Sequence, residues 1–227
     1  MTTRTFEQEL PKTKTVAPSL GDELRFFARQ TTPRLIGPLL AVTLIARATL
    51  GGWSKWDAVI PVALIAAEPF VEWLIHVYIL HFKPRPVFGR TIDPLVARKH
   101  REHHRDPRKT EWIFVPLPVL AKALPGVALI DLLAFPTLRL AVTAMSTSLA
   151  ILLTYEWTHY LIHSRYQPKT RLYRYIWRAH RLHHFKNENY WFGVTMHVGD
   201  HVLGTFPEKD EVETSSTCKT LGVEVAS

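Results

Sequence analysis

The apolar residues of this 227-residue chain are gathered into blocks. A helix that crosses a bilayer needs about 20 mostly apolar residues. Four stretches meet that need: residues 35–52, interrupted by Arg47; 58–82; 113–135, broken by prolines and Lys122; and 138–162. Only Pro136 and Thr137 separate the third from the fourth, which predicts a short turn there. Pro116, Pro118 and Pro125 crowd the third stretch and predict an irregular, re-entrant start. The fold class that follows is all-α and integral to a membrane, with about four transmembrane helices. Residues 1–34 read as a polar arm without a cleavable leader pattern. Residues 206–227 read as a flexible polar tail.

Charge then orients the spans. Of the 28 lysines and arginines, 24 lie before residue 35, between 83 and 109, or from 165 onward. Cytoplasmic segments collect Lys and Arg. Both termini and the middle loop are therefore expected in the cytoplasm, with two tight hairpins dipping into the membrane. The net charge of +8 suits nucleic acid or anionic lipid. Four apolar spans exclude the former and leave membrane lipid as the partner. Cys218 is the only cysteine, so disulfide frameworks and thiolate metal sites are excluded.

Ten of the twelve histidines form two matching sets. His76 and His81 are followed by His100, His103 and His104. His159 and His163 are followed by His180, His183 and His184. The second H-x2-H-H lies 80 residues after the first. Neutral imidazole ligates zinc, copper, iron and nickel. Ten imidazoles are too many for one ion and about right for two. On a helix, residues three or four apart share a face, so each H-x2-H-H cluster, and the pair His159 and His163, can serve one ion or two neighbouring ions. His76 and His81 are five apart, about 140° around an ideal helix. Either the helix bulges there or the two serve different ions. His197 and His201 lack a following cluster and are expected to brace the site rather than bind metal.

Glu68 and Glu72 precede His76 by eight and four residues on one stripe. Carboxylates inside a membrane are functional suspects. They either support the histidines, or pair with Arg47 or sit at an interface. Trp157, Tyr160, Tyr190 and Trp191 are expected in an interfacial aromatic belt.

These motifs resemble the fatty acid hydroxylase/sterol desaturase superfamily of membrane di-iron oxygenases. The resemblance is carried by EWLIHVYILHF (72–82), KHREHH (99–104), YEWTHYLIH (155–163) and RAHRLHHFKNENYWFGV (178–194), and extends to about residue 205. It implies a membrane domain over 35–205, with a four-helix stem and a cytoplasmic helical cap carrying the H-x2-H-H clusters. It implies that His76, His81, His100, His103, His104, His159, His163, His180, His183 and His184 hold two iron ions, with zinc an option in purified material. Glu68, Glu72, Asp200, His197 and His201 are then candidates for supporting those ligands. It also implies O2 as co-substrate and a fatty acyl or other long-chain lipid as substrate, with hydroxylation expected ahead of desaturation. The membrane would be the plasma membrane in a prokaryote and the endoplasmic reticulum in a eukaryote. The competing class is a non-catalytic membrane metal-binding protein, which is disfavoured because a transporter places its ligands near mid-membrane.

Electrons must come from a separate carrier, cytochrome b5-like or ferredoxin-like. The N-terminal arm has no histidine for a haem, and one cysteine cannot build an iron–sulfur module. Arg165, Lys169, Arg171, Arg174 and Arg178 are its expected docking face, unless they contact lipid headgroups instead.

Overall fold

The computed structural model describes residues 17–223. Eight α-helices run α1 (Leu20–Phe27), α2 (Thr31–Leu50), α3 (Trp56–Ile75), α4 (Leu95–Arg105), α5 (Leu117–Ala134), α6 (Leu138–His163), α7 (Arg171–Phe185) and α8 (Val198–Leu203). A small antiparallel hairpin, β1 (Arg85–Val87) and β2 (Arg90–Ile92), precedes α4. Its turn holds Phe88 and Gly89 at positive φ and leaves the Phe88 ring exposed.

Four helical segments are long and apolar enough to cross a membrane: Thr31–Leu50, Trp56–Leu80, Thr110–Ala134 and Leu138–His163. Their outward side chains are apolar: Val62 is 67% exposed and Leu133 78%. Such a surface is untenable in water and natural against acyl chains. α6 is the central helix and packs on α2, α3 and α5. The turn between α5 and α6 is as short as expected, and Thr137 caps α6 by accepting from the Leu140 N–H. The start of the third span is irregular, as its prolines predict. A 3-10 turn at Thr110–Trp112 precedes it, and α5 then runs unbroken past Pro125. Pro116 sits at its N-cap, where a missing N–H costs no helical bond.

The two connecting loops meet at one end of the bundle, where the Arg139 guanidinium lies against Gly52. Arg47, the charge that interrupts the first span, is neutralised near that end. It pairs with Asp57 at 2.7 Å and donates to Thr143 at 2.9 Å and to the Gly51 carbonyl at 2.8 Å. This cluster ties α2, α3 and α6 together, and it removes Arg47 as a partner for Glu68 and Glu72.

At the opposite end, α4 packs on the residues that close α3, and α7 packs on α6. The arm expected over 1–34 is partly built into this end. Ser19 and Asp22 form a capping box that starts α1, and α1 buries Phe27 against Ile113 and Tyr160. The aromatic belt is also corrected. Trp191 is fully buried and Tyr160 nearly so, because Trp191 packs on Ala179 and Val212 and the Tyr160 hydroxyl donates to Glu23. Trp157 and Tyr190 are partly buried against the same two clusters.

Candidate metal centre

Where α3 ends, residues His76–Leu80 form one π turn, closed by the His81 N–H donating to the His76 carbonyl at 3.0 Å. One extra residue per turn brings positions five apart onto one side. The rings of His76 and His81 consequently lie 4.9 Å apart and belong to the same group. Of the two readings open for this pair, the helix bulge is the one that forms.

All ten repeated histidines converge at this end of the bundle, in two groups of five. One is His76, His81, His100, His104 and His183; the other is His103, His159, His163, His180 and His184. Within each group the candidate ligand atoms lie within 4.8 Å of one another. The groups do not follow the sequence repeat. On α4, His100 and His104 face one group while His103 turns to the other. On α7, His180 and His184 face one group and His183 crosses back. The middle histidine of each H-x2-H-H is thus exchanged between the halves.

The geometry suits metal. Nε2–Nε2 separations are 3.1 Å for His76 and His100, 3.2 Å for His100 and His104, 3.0 Å for His103 and His159, and 3.1 Å for His103 and His163. Two imidazole nitrogens bound at right angles, about 2.1 Å from one ion, lie about 3.0 Å apart. Among the described residues, the buried Nε2 atoms of His81 and His183 have no hydrogen-bond partner, an arrangement that needs a ligand. Several rings are oriented from behind. The Nδ1 of His76 lies 2.5 Å from the Phe192 carbonyl, that of His159 3.0 Å from Ile113, that of His183 2.8 Å from Tyr190, and that of His104 2.9 Å from Cys218. A carbonyl accepts only, so each Nδ1 carries the proton and each Nε2 keeps its lone pair. Burial, reinforced by neighbouring imidazoles, pushes His81, His100, His103, His180, His183 and His184 well below the ordinary histidine value, and burial takes His104 down to about 3. The rings stay neutral and available as ligands.

The carboxylates stand one layer behind the rings. Glu72 accepts from the N–H groups of Val194, at 2.5 Å, and Thr195, at 3.1 Å; the Thr195 hydroxyl donates to Glu68 at 3.0 Å. Asp200 accepts from the N–H groups of Phe192, at 2.9 Å, and Gly193, at 2.7 Å, from His197 Nδ1 at 2.9 Å and from the Thr205 hydroxyl at 2.7 Å. Burial alone would raise the Asp200 carboxyl, but these donors hold it below its ordinary value. Glu68, Glu72 and Asp200 therefore pin the irregular segment 192–195, whose Phe192 carbonyl orients His76. His197 joins this network, while His201 lies outside it, its Nε2 2.7 Å from the Tyr175 hydroxyl. Two glycines let the segment close. A Cβ on Gly193 would stand 2.3 Å from the Met196 carbonyl, and one on Gly199 2.4 Å from the Pro69 carbonyl.

The segment after residue 206, expected to be flexible, packs onto the site. Val212, Cys218 and Leu221 are buried, the Ser215 N–H donates to the Lys186 carbonyl at 2.7 Å, and the Cys218 carbonyl is the acceptor for His104. Its apolar residues are few and widely spaced, so no periodic signal marked it. The carbonyls of Ile113, Tyr190, Phe192 and Cys218 likewise have no signature in side-chain identity.

A profile of the family described as fatty acid hydroxylase matches residues 61–205, well over half of the chain. The chain belongs to the fatty acid hydroxylase family. Within it, the chain is 27% identical over 137 residues to the dihydroceramide fatty acyl 2-hydroxylase FAH2 of Arabidopsis thaliana, a match covering 60% of this chain and 56% of that protein. It is 29% identical over 146 residues to the fatty acid 2-hydroxylase of Homo sapiens, covering 63% of this chain and 38% of that protein. The matches thus span about half or less of these relatives' length. A solved structure of full-length scs7p, in which only the hydroxylase domain is visible, superposes with a TM-score of 0.67 at 18% identity, over 87% of this chain and 75% of that one. At that identity the likeness concerns the fold of the fatty acid hydroxylase domain.

Proposed function

We propose that this chain is an oxygen-dependent hydroxylase of a long-chain lipid, acting through two iron ions, one in each group of five histidines. The observation that carries the reading is the pair of convergent, neutral, thiolate-free imidazole groups at the end of four lipid-facing helices. The activities for which the relatives are named, fatty acid and dihydroceramide 2-hydroxylation, point the same way. Iron would supply the oxygen chemistry that replaces an unactivated C–H by C–OH, consuming one O2, two electrons and two protons and releasing water; side-chain acids and bases cannot do this.

The protein's own part is positioning. Carbonyl acceptors behind the rings hold Nε2 toward the ions, and Glu72 and Asp200 hold the segment that carries one of those carbonyls. The surrounding packing keeps the groups dry, which disfavours leakage of reactive oxygen to water. The histidine end and both termini lie on the cytoplasmic side, as the distribution of Lys and Arg argues. A separate electron carrier, cytochrome b5-like or ferredoxin-like, docks on the exposed Arg165, Lys169, Arg171, Arg174 and Arg178.

The test is one experiment on protein purified anaerobically in detergent. Iron and zinc are quantified, then lipid extract, an electron donor and O2 are added and products are read by mass. About two irons per chain and an oxygen-dependent gain of one oxygen atom are expected. Loss of two hydrogens instead would make the chain a desaturase. Tightly held metal with no oxygen-dependent product would leave a metal-binding role.

A further inference from the structure

A cavity of about 900 Å³ opens beside the second histidine group, with His163 in its wall. Its lining joins aromatic rings, Phe26, Tyr160 and Trp177, to three guanidinium groups, those of Arg108, Arg165 and Arg181, of which Arg165 is already engaged. The acids in this wall are already engaged. Asp22 is held by Arg25 at 2.7 Å, and Glu23 accepts from the Tyr160 hydroxyl. Arg108 and Arg181 differ. Among the described residues neither side chain has an ion pair or a hydrogen bond. Arg181 lies over the rings of Trp177, at 4.7 Å, and Phe185, at 5.1 Å. Stacking fixes the plane of a guanidinium and leaves its N–H edge free to bind.

Two cations in the wall of one cavity, neither of them paired with a carboxylate, repel each other. An anion placed there relieves the repulsion, and a guanidinium edge matches carboxylate and phosphate geometry. The volume fits a small molecule and not a protein segment of any length. The aromatic part of the lining and the approach to His163 suit an anion that carries an apolar chain. We infer that this cavity binds the anionic head of an acyl lipid, a carboxylate or phosphate on a long chain, through Arg108 and Arg181. The inference deepens the hydroxylase reading and rests on it for the chain's destination beside the histidines; binding itself needs no turnover.

The test is calorimetric titration of the metal-loaded protein in neutral detergent with tetradecyl phosphate, tetradecanol and inorganic phosphate. Tetradecyl phosphate is expected to bind about tenfold or more tightly than tetradecanol, and Arg108→Gln and Arg181→Gln are each expected to remove most of that gap. Equal binding of phosphate and alcohol overturns the proposal, as does a gap that survives both substitutions. Inorganic phosphate binding as tightly as the acyl phosphate overturns the lipid part and leaves a free-anion site. If Arg181→Gln does not fold, Arg108→Gln, at an exposed position, decides alone. Intact binding with no oxygen-dependent product in the experiment above would instead remove the hydroxylase reading and keep the anion site.

Discussion

His183, on α7, lies with its ring 4.6 Å from that of His76 at the end of α3, although its neighbours His180 and His184 belong to the opposite group. His103 makes the reciprocal crossing from α4, with its ring 4.5 Å from that of His163. Each H-x2-H-H helix therefore contributes to both groups, and neither half of the repeat completes a group alone. If each group holds one ion as proposed, this exchange assigns His183→Ala to the ion near His76 and His180→Ala to the ion near His163. Anomalous diffraction on metal-soaked crystals should show a different one of two peaks fading in each variant. The same peak fading in both would contradict the exchange.

Asp200 accepts four hydrogen bonds, two of them from the N–H groups of the segment 192–193, and that segment orients His76. Asp200→Ala removes all four and is expected to weaken metal binding about 10- to 100-fold. Asp200→Asn keeps a carbonyl acceptor and should fall between. Competition with a chromogenic chelator reads both constants; unchanged affinity in Asp200→Ala would break the link from carboxylate to histidine.

Gly199 is where α8 meets α3. A methyl group there would stand 2.4 Å from the Pro69 carbonyl, a backbone atom that cannot swing aside. Gly199→Ala is expected to destabilise by about 1–3 kcal/mol. Gly126, inside α5, has nothing within 4 Å of its virtual Cβ. Gly126→Ala should be neutral or stabilising by up to about 1 kcal/mol. Thermal unfolding in one detergent compares the two, and equal midpoints would contradict the close contact.

Cys218 is 7% exposed, and burial pushes its thiol up to about 11. The reactive thiolate appears only as pH rises through that value, so at pH 8 it is about 100-fold scarcer than for a thiol that titrates at 9.0. Iodoacetamide should therefore label the folded protein slowly at pH 8 and rapidly after denaturation. Fast labelling without denaturation would mean that the segment after residue 206 is not packed on the site.

Much of the architecture was legible one residue at a time. Blocks of apolar side chains long enough to cross a bilayer set the four spans, because hydration cost depends on local composition over about 20 residues. The repeated H-x3-4-H and H-x2-H-H spacings marked the ten histidines that converge. The prolines marked the irregular start of the third span, while Pro118 in the first turn of α5 and Pro125 further along did not break the helix, since a proline at a helix start removes an N–H that would have been unpaired anyway.

Three decisions belonged to the tertiary structure. Which histidine joins which group depends on how α4 and α7 are rotated against α3 and α6, and spacing along one helix does not contain that rotation. The π turn that unites His76 and His81 has no composition of its own and forms where packing and the two rings demand it. The carbonyls that orient the rings, and the buried Cys218 segment that supplies one, are backbone groups, identical in every residue and distinguishable only by where the fold puts them.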